Sequence, residues 1–521
     1  GIAQADRAEA KAVLRAAGVD DGYALFYGAR DAGLAEALVV ASDLRVSVVE
    51  PNATKAKNMR RAWDEAGLYG TRLSVQLADP VDARTPSYMA SLTVVDEAAG
   101  PYVTDAGFLR GVFESLRPYG GVAVFRASSV PARDIASAIK TLGFPNAKVE
   151  RSGGDLLLVR EGALPGSADW THQYGDIAQT IKSDDQLVKL PLGVLWFGGS
   201  SHNDVLPRHG HGPPEQVIGG RMFIEGMGVI SARDVYTGRV LWRRELAGLG
   251  DGVYWDETYN PDPLTLKYGQ LHIPGANARG ANYVATEDKI YIAFGRKCLV
   301  LDAATGNDVA EYVLPRRAGT TEAPEWGYIG VHEDLLIAGS DFVKYRELTG
   351  ADPDDKSAKR SYWYNYDRTS SHGLVVMDRH TGDVLWEHES ALGLRHSGIV
   401  VGDGKLFCVD QQPPRVRRLL ADQGITTPGT PGVLAFDVRT GDPVWNVTEG
   451  VFGTWLSYSA ERDILLQAGR PSRDMLRDEP NDRIIAYRGA TGDVIWDKPI
   501  SYGEPAIIHR DLERSLEGGI A

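Results

Sequence analysis

The side chains best suited to chemistry recur at one place in a repeating pattern. Just ahead of the first strand of successive repeat units stand Arg208, His209 and His211; Arg279 and Asn282; Trp326; Arg395 and His396; and Trp455 and Glu504. Histidine and arginine donate hydrogen bonds to anions, and tryptophan offers a flat π face. Equivalent positions around one opening therefore predict a mouth for an anionic or planar ligand. His209 and His211 alternate and share a strand face, which suits a metal. No carboxylate or third histidine stands at metal-ligand spacing, however, so no metal centre is expected. No catalytic residue can be assigned, because the sequence lacks both a GxSxG elbow and a phosphate-cradling GxxxxGK[ST] loop.

These positions are ordered by an internal repeat. The segments ISARDVYTGRVLWRREL, CLVLDAATGNDVAEYVL, LVVMDRHTGDVLWEHES, VLAFDVRTGDPVWNVTE and IIAYRGATGDVIWDKPI each run from an apolar strand through Thr-Gly into a second strand. That second strand carries Trp242, Trp386, Trp445 or Trp496, and the second repeat has Ala310 at the equivalent place. Glycine supplies the positive φ of a tight hairpin, Asp and Thr bond turn amides, and the tryptophan packs blade on blade. A further hairpin precedes each of these, and four strands per unit make a propeller blade. An all-β propeller of about five blades and part of a sixth, which starts at PAIIHRD, is expected over residues 170–521. Leu192–Gly199 would close the last blade, and missing residues or another chain would complete the ring. The long insertions at 247–281, 340–373, 410–432 and 469–483 fall by strand parity on the face opposite the Thr-Gly turns, where binding is expected. The insertion 344–371 mixes charge with aromatics and reads as a docking surface, a solvated excursion or a lid.

Ahead of the repeat the texture is different. A helical stretch leads into the apolar run Tyr23–Tyr27, a glycine turn from Gly28 to Gly33, a second helix, and the strand Val46–Val49 ending on Glu50. Strand, glycine turn, helix and strand with a terminal acid make a βαβ unit, whose acid can accept hydrogen bonds from ribose hydroxyls. Further strands at 73–77, 92–95, 121–125 and 156–159 predict an open, mostly parallel sheet in an α/β Rossmann-like domain over residues 1–160, with a linker at 161–169. The pieces ALFYGARDAGLAEAL, VSVVEPN, LSVQLADP, LTVVDEA and LRPYGGVAV resemble, in order, the class I S-adenosylmethionine (SAM)-dependent methyltransferases. The resemblance implies that Gly28 and Gly33 line the methionine end of the cofactor, Glu50 holds the ribose and Asp79 sits beside the adenine. Phe26 replaces the acid usual two residues before the first glycine, and Arg30 and Asp31 crowd the loop, so the domain reads as a degenerate scaffold.

The repeats resemble those of the pyrroloquinoline quinone (PQQ) enzymes and of outer-membrane assembly lipoproteins. With the junction ADWTHQYGD, the whole chain resembles planctomycete proteins that carry both parts. The resemblance implies an extracytoplasmic, periplasmic location. It also offers SAM, or PQQ with calcium, as cofactors, although neither a calcium cage nor an adjacent cysteine pair is found. The start at Gly1 reads as a processed or excerpted product. The net charge of −14 argues against nucleic acid, and no apolar run is long enough for a membrane span. Cys298 and Cys408 each lie in apolar strands, as two free thiols or one disulfide. The expected function is a propeller that binds a small molecule or protein beside a degenerate methyltransferase-like domain. The alternatives are a PQQ-type oxidoreductase acting on an alcohol or sugar, and a SAM-dependent methyltransferase that uses the propeller for substrate recognition.

Overall fold

Apolar strands buried on both faces dictate the architecture of the first 160 residues. Strand β1 (Asp21–Tyr27) sends Ala24 and Phe26 into one core with Leu38 and Trp63, and Leu25 and Tyr27 into another with Phe108 and Ile135. A strand with apolar residues on both sides must lie inside a sheet covered by helices on each face. The computed structural model describes residues 2–126, 130–198, 204–206, 212–255, 275–349, 366–469 and 479–500. Chain contacts divide these into two units, the first holding residues 2–167, 186–198 and 234–239, and the second the remainder.

In the first unit β1 is joined by β2 (Asp43–Glu50), β3 (Leu73–Leu77), β4 (Ala90–Val95), β5 (Gly121–Phe125), β6 (Ala147–Ser152) and β7 (Asp155–Arg160). The order is β3-β2-β1-β4-β5-β7-β6, with β1 parallel to β2 and β4 and with β7 antiparallel to β5. Helices α1 (Gln4–Ala17), α2 (Gly33–Ala41), α3 (Ala53–Glu65), α4 (Ala106–Ser115) and α5 (Ala132–Leu142) cover it. The order reverses between β1 and β4, the place where open α/β sheets bind ligands at their strand ends.

The second unit consists of antiparallel blades. The first has β8 (Gln216–Ile218), β9 (Arg221–Gly226), β10 (Val229–Asp234) and β11 (Val240–Glu245), and the second has β12 (Tyr283–Ala285), β13 (Lys289–Phe294), β14 (Lys297–Asp302) and β15 (Asp308–Tyr312). The third and fourth are fused into one seven-stranded sheet of β16 (Trp326–His332), β17 (Leu335–Phe342), β18 (Ser370–Asp378), β19 (Val384–Gly402), β20 (Lys405–Asp410), β21 (Gly432–Asp437) and β22 (Pro443–Val447). Strand β19 runs through both blades, pairing with β18 over its first part and with β20 over its last. The fifth has β23 (Trp455–Ser459), β24 (Ile464–Ala468), β25 (Arg483–Arg488) and β26 (Val494–Pro499). PAIIHRD lies outside the described residues. Cys298 and Cys408 are free and buried, and burial pushes both thiols up.

One contact repeats between blades. Trp242 Nε1 donates to Ala303 O (3.0 Å), Trp386 Nε1 to Val438 O (2.9 Å) and Trp445 Nε1 to Gly489 O (2.8 Å), in each case three residues before the Thr-Gly glycine of the next blade. Each ring lies on the Thr-Gly glycine of the next blade. A Cβ on Gly306 or Gly441 would come within 2.6 Å of the indole, and Gly441 holds φ +74°. In the second blade Tyr312, two residues beyond Ala310, takes this role and donates its hydroxyl to Arg379 O (3.1 Å). Asp437 Oδ1 accepts from the amides of Arg439 and Thr440 (both 2.9 Å), which holds its carboxyl below the usual range. The expected closing strand Leu192–Gly199, described through Gly198, joins no sheet. Its Trp196 nonetheless makes the same contact, donating to Val235 O at 2.8 Å.

The junction segment laces the inner strands. Trp170 pairs with Val217, His172 Nε2 accepts from Val331 N (3.2 Å), Ala178 O accepts from Tyr458 N (2.9 Å), and Gln179 donates to Ser397 O and Ile399 O (both 3.1 Å). Two insertions also pack together. Tyr345 and Tyr366, which flank the charged and aromatic insertion, form a small core with Val416 and Leu420 of a helix at Pro414–Asp422.

Truncating a buried aromatic loses its transfer energy and leaves a cavity. Trp386→Ala is expected to destabilise the propeller by about 3–5 kcal/mol, read as a lower urea midpoint in far-UV circular dichroism. Val494→Ala, at a side chain 56% exposed, is expected to leave the midpoint nearly unchanged.

Candidate ligand cavity

The predicted mouth residues fall into two groups. Arg279 ends the short helix Ala276–Arg279 and is buried; its NH1 donates to Gly252 O (3.0 Å) and Val253 O (2.8 Å), and its Nε to Asp367 O (3.2 Å). His396 Nδ1 lies 2.6 Å from Arg279 O and Nε2 lies 2.8 Å from Ser371 Oγ. A carbonyl can only accept, so Nδ1 carries the proton and Nε2 accepts from the serine hydroxyl. Burial lowers this imidazole's pKa to about 4 and keeps it neutral. Arg395 pairs with Glu479 at 2.9 Å, with side chains 3% and 0% exposed, and also donates to Thr369 Oγ1. Trp455 packs in the fifth blade's core with Leu466 and Ile484. The structure thus brings Arg279, Arg395 and His396 together as a framework bonded largely to the protein itself, with Arg395 Nε buried and unpaired. Arg208, His209, His211 and Glu504 lie outside the described residues.

Asn282 and Trp326 belong to the second group and, together with Arg279, line a cavity of about 170 Å³ with Tyr254, Glu325, Phe342 and Arg368. Asn282 Oδ1, Trp326 Nε1 and Glu325 Oε2 are buried on this wall without a hydrogen-bond partner, and so is Glu225 Oε2 beside them. Glu225 projects from β9, is 1% exposed, and accepts from Asn282 Nδ2 at 3.3 Å through its other oxygen. A glycine on the cavity wall makes room for it, since a Cβ on Gly250 would stand 2.8 Å from Glu225 Oε1. Burial raises the Glu225 carboxyl to about 8, against a smaller opposing effect of the Asn282 bond. Each buried polar atom left unpaired costs about 1–3 kcal/mol. A polar cavity this size holds about six waters or one molecule of comparable volume. Sequence reasoning missed Glu225 and Glu325. The available signal for Glu225 was a lone acid in the apolar strand RMFIEG.

The nucleotide-fold residues are placed as follows. Glu50 is buried at the end of β2, paired with Lys55 Nζ at 2.9 Å, and accepts from Asn52 N at 2.9 Å; Lys55 also donates to Ala29 O. Gly28 packs on the backbone of Ala99, and Gly33 faces Asp6. Asp79 Oδ1 accepts from Val81 N (3.0 Å), and its Oδ2 from the Tyr102 hydroxyl (3.3 Å). Beyond β1 and β4, Arg30 meets Glu9 (2.5 Å) and Asp96 (3.6 Å), and Arg126 meets the same pair (3.2 and 3.6 Å). SAM needs a free acid for its ribose and open backbone for its methionine. Here Lys55 neutralises the acid and side chains fill the strand ends, so these residues do not fit it.

PQQ, a planar tricycle with three carboxylates, does not fit the propeller cavity either. The 170 Å³ volume is below the roughly 300 Å³ at which pockets for drug-sized ligands begin, and its free wall atoms include two carboxyl groups. Among the described residues no group of three or more His, Cys, Asp or Glu is placed to hold a metal. No helix among them is long and apolar enough to cross a membrane.

A family model described as outer membrane protein assembly factor BamB matches residues 358–507. No curated protein matches the chain. Among solved structures, a SAM-dependent methyltransferase from Aquifex aeolicus is 11% identical over 29% of this chain and 88% of its own, with a TM-score of 0.24. BamB from Moraxella catarrhalis is 13% identical over 55% of this chain and 63% of its own, TM-score 0.31. A quinohemoprotein alcohol dehydrogenase from Pseudomonas putida is 15% identical over 64% of this chain and 48% of its own, TM-score 0.35. The chain therefore spans less than two-thirds of either propeller protein. By strand order and blade construction, the first unit has the methyltransferase-type α/β fold and the second is a propeller of PQQ-like blades.

Glu225 generates a pH dependence. Its folded pKa of about 8 exceeds its ordinary value of 4.5, so the folded state binds the proton more tightly. The stability this contributes is complete below the unfolded pKa and is lost as pH rises toward 8. Glu225→Gln is therefore expected to flatten the fall of the propeller's melting temperature between about pH 5 and 8, measured by scanning calorimetry.

Proposed function

We propose that this chain is a ligand-binding propeller protein whose α/β unit acts as a scaffold. The observation that carries this reading is the set of unpaired polar atoms around one cavity, at Asn282, Trp326, Glu325 and Glu225. Neighbouring polar side chains of the framework, Arg395 and His396 among them, are bonded to the protein itself. A small polar molecule that enters would supply the missing partners, and the folded protein needs no rearrangement to receive it. The quinone-oxidoreductase reading is disfavoured by the small cavity, and the methyltransferase reading by the Lys55–Glu50 pair.

A thermal-shift screen of small polar metabolites tests the binding role. A ligand at a hundred times its Kd adds about 2.7 kcal/mol, so a true ligand is expected to raise the melting temperature of the wild type by a few degrees. It should shift Trp326→Phe only about half as far, since tenfold weaker binding leaves about 1.4 kcal/mol. Finding no stabiliser, or only stabilisers that act equally on both proteins, overturns the reading. Calorimetric titration of the full chain with SAM is expected to give no saturable heat at about millimolar ligand, a concentration that detects even weak binding near −4 kcal/mol. Saturable heat would instead return the α/β unit to catalysis.

A further inference from the structure

We propose that the propeller cavity takes a neutral, hydroxyl-rich molecule no larger than a monosaccharide. This rests on the binding role proposed above and assigns its ligand class. The free atoms on the wall are of mixed character. Trp326 Nε1 can only donate, whereas Asn282 Oδ1 can only accept, as can Glu325 Oε2 when ionised. Glu225, with its carboxyl at about 8, is mainly protonated at neutral pH and adds a donor.

Phosphate at neutral pH keeps one or two P–OH donors but is otherwise all acceptors, and its negative charge would face the Glu325 carboxyl. A quaternary ammonium head brings no hydrogen-bond donor, and choline's single hydroxyl can pair with only part of this set. A hydroxyl both donates and accepts, so a run of hydroxyls on adjacent carbons can satisfy all four groups at once. The guanidinium of Arg368 also lines the cavity, with one N–H donating to Gly252 O at 2.7 Å and its centre 5.8 Å from the Phe342 ring centre. Tyr254, Trp326 and Phe342 supply aromatic carbon to the wall, which suits the C–H faces of a sugar ring or cyclitol. The volume of about 170 Å³, about six waters' worth, sets the upper size.

Titration calorimetry on the full chain with D-glucose, myo-inositol and glycerol, beside inorganic phosphate and choline, tests the assignment. Saturable heat is expected for at least one polyol and none for phosphate or choline. Glu325→Gln, which keeps side-chain shape, and Trp326→Phe, which keeps an aromatic ring but is smaller, are each expected to weaken that binding by about tenfold, the loss of roughly one hydrogen bond. Unchanged circular dichroism serves as the check on folding. Asn282→Leu should weaken binding further, but it also strips Glu225 of its partner and is the variant most prone to misfold. If phosphate or choline binds and the same variants abolish it, the cavity is a ligand site and the polyol assignment fails. If no probe binds, or binding ignores both Glu325→Gln and Trp326→Phe, the assignment and the binding role fail together.

Discussion

Each blade of the second unit is tied to the next by one aromatic side chain lying flat on a glycine and donating to a backbone carbonyl. Trp242, Tyr312, Trp386 and Trp445 all make this contact. It works because the Thr-Gly glycine has no Cβ to hold the ring away, and because the turn leaves a carbonyl unpaired at the right height. A buried indole with its N–H satisfied contributes both area and direction, so successive blades meet at a defined angle. With the blade angles set at the turn face, the inner strands converge and the insertions of the other face are brought over one another.

That convergence decides the chemistry of the elaborated face. Arg279, Arg395 and His396 arrive close enough to bind one another's loops, and the buried Arg395–Glu479 pair draws in the last insertion. A buried pair adds little net stability, but breaking it is costly, so it serves to hold loop geometry. Tyr345 and Tyr366 seal the insertions with an apolar core of their own. Among the buried side-chain atoms left unpaired are those of Asn282, Trp326, Glu225 and Glu325.

Much of this was legible in the sequence. Continuous apolar runs marked nearly every strand of the α/β unit, and Thr-Gly marked each blade. The exceptions have physical causes. Strand β6 carries charged residues on both faces because it is a solvated edge, so it shows no alternation. Tyr312 was hidden because Ala310 holds the register position of the tryptophans, and Tyr312, two residues further along the strand, reaches the next turn instead. The fusion of two blades through β19 was also unseen, since each half has an ordinary strand pattern. The position rule for the mouth named Asn282 and Trp326, but it could not separate them from Arg395 and His396, which do not line the cavity. All four have polar side chains at equivalent places, and only their partners distinguish them.

By itself the sequence determined the architecture, because strand period, glycine turns and a recurring aromatic are local properties that any folded form of this chain must honour. Which side chains remain free to act was decided by the tertiary structure alone. Glu225 lies 57 residues from Asn282 and meets it at 3.3 Å, and Lys55 reaches back across the βα turn to close the nucleotide crevice. Whether a polar atom is satisfied depends on neighbours that folding brings from far along the chain, and no local pattern records them.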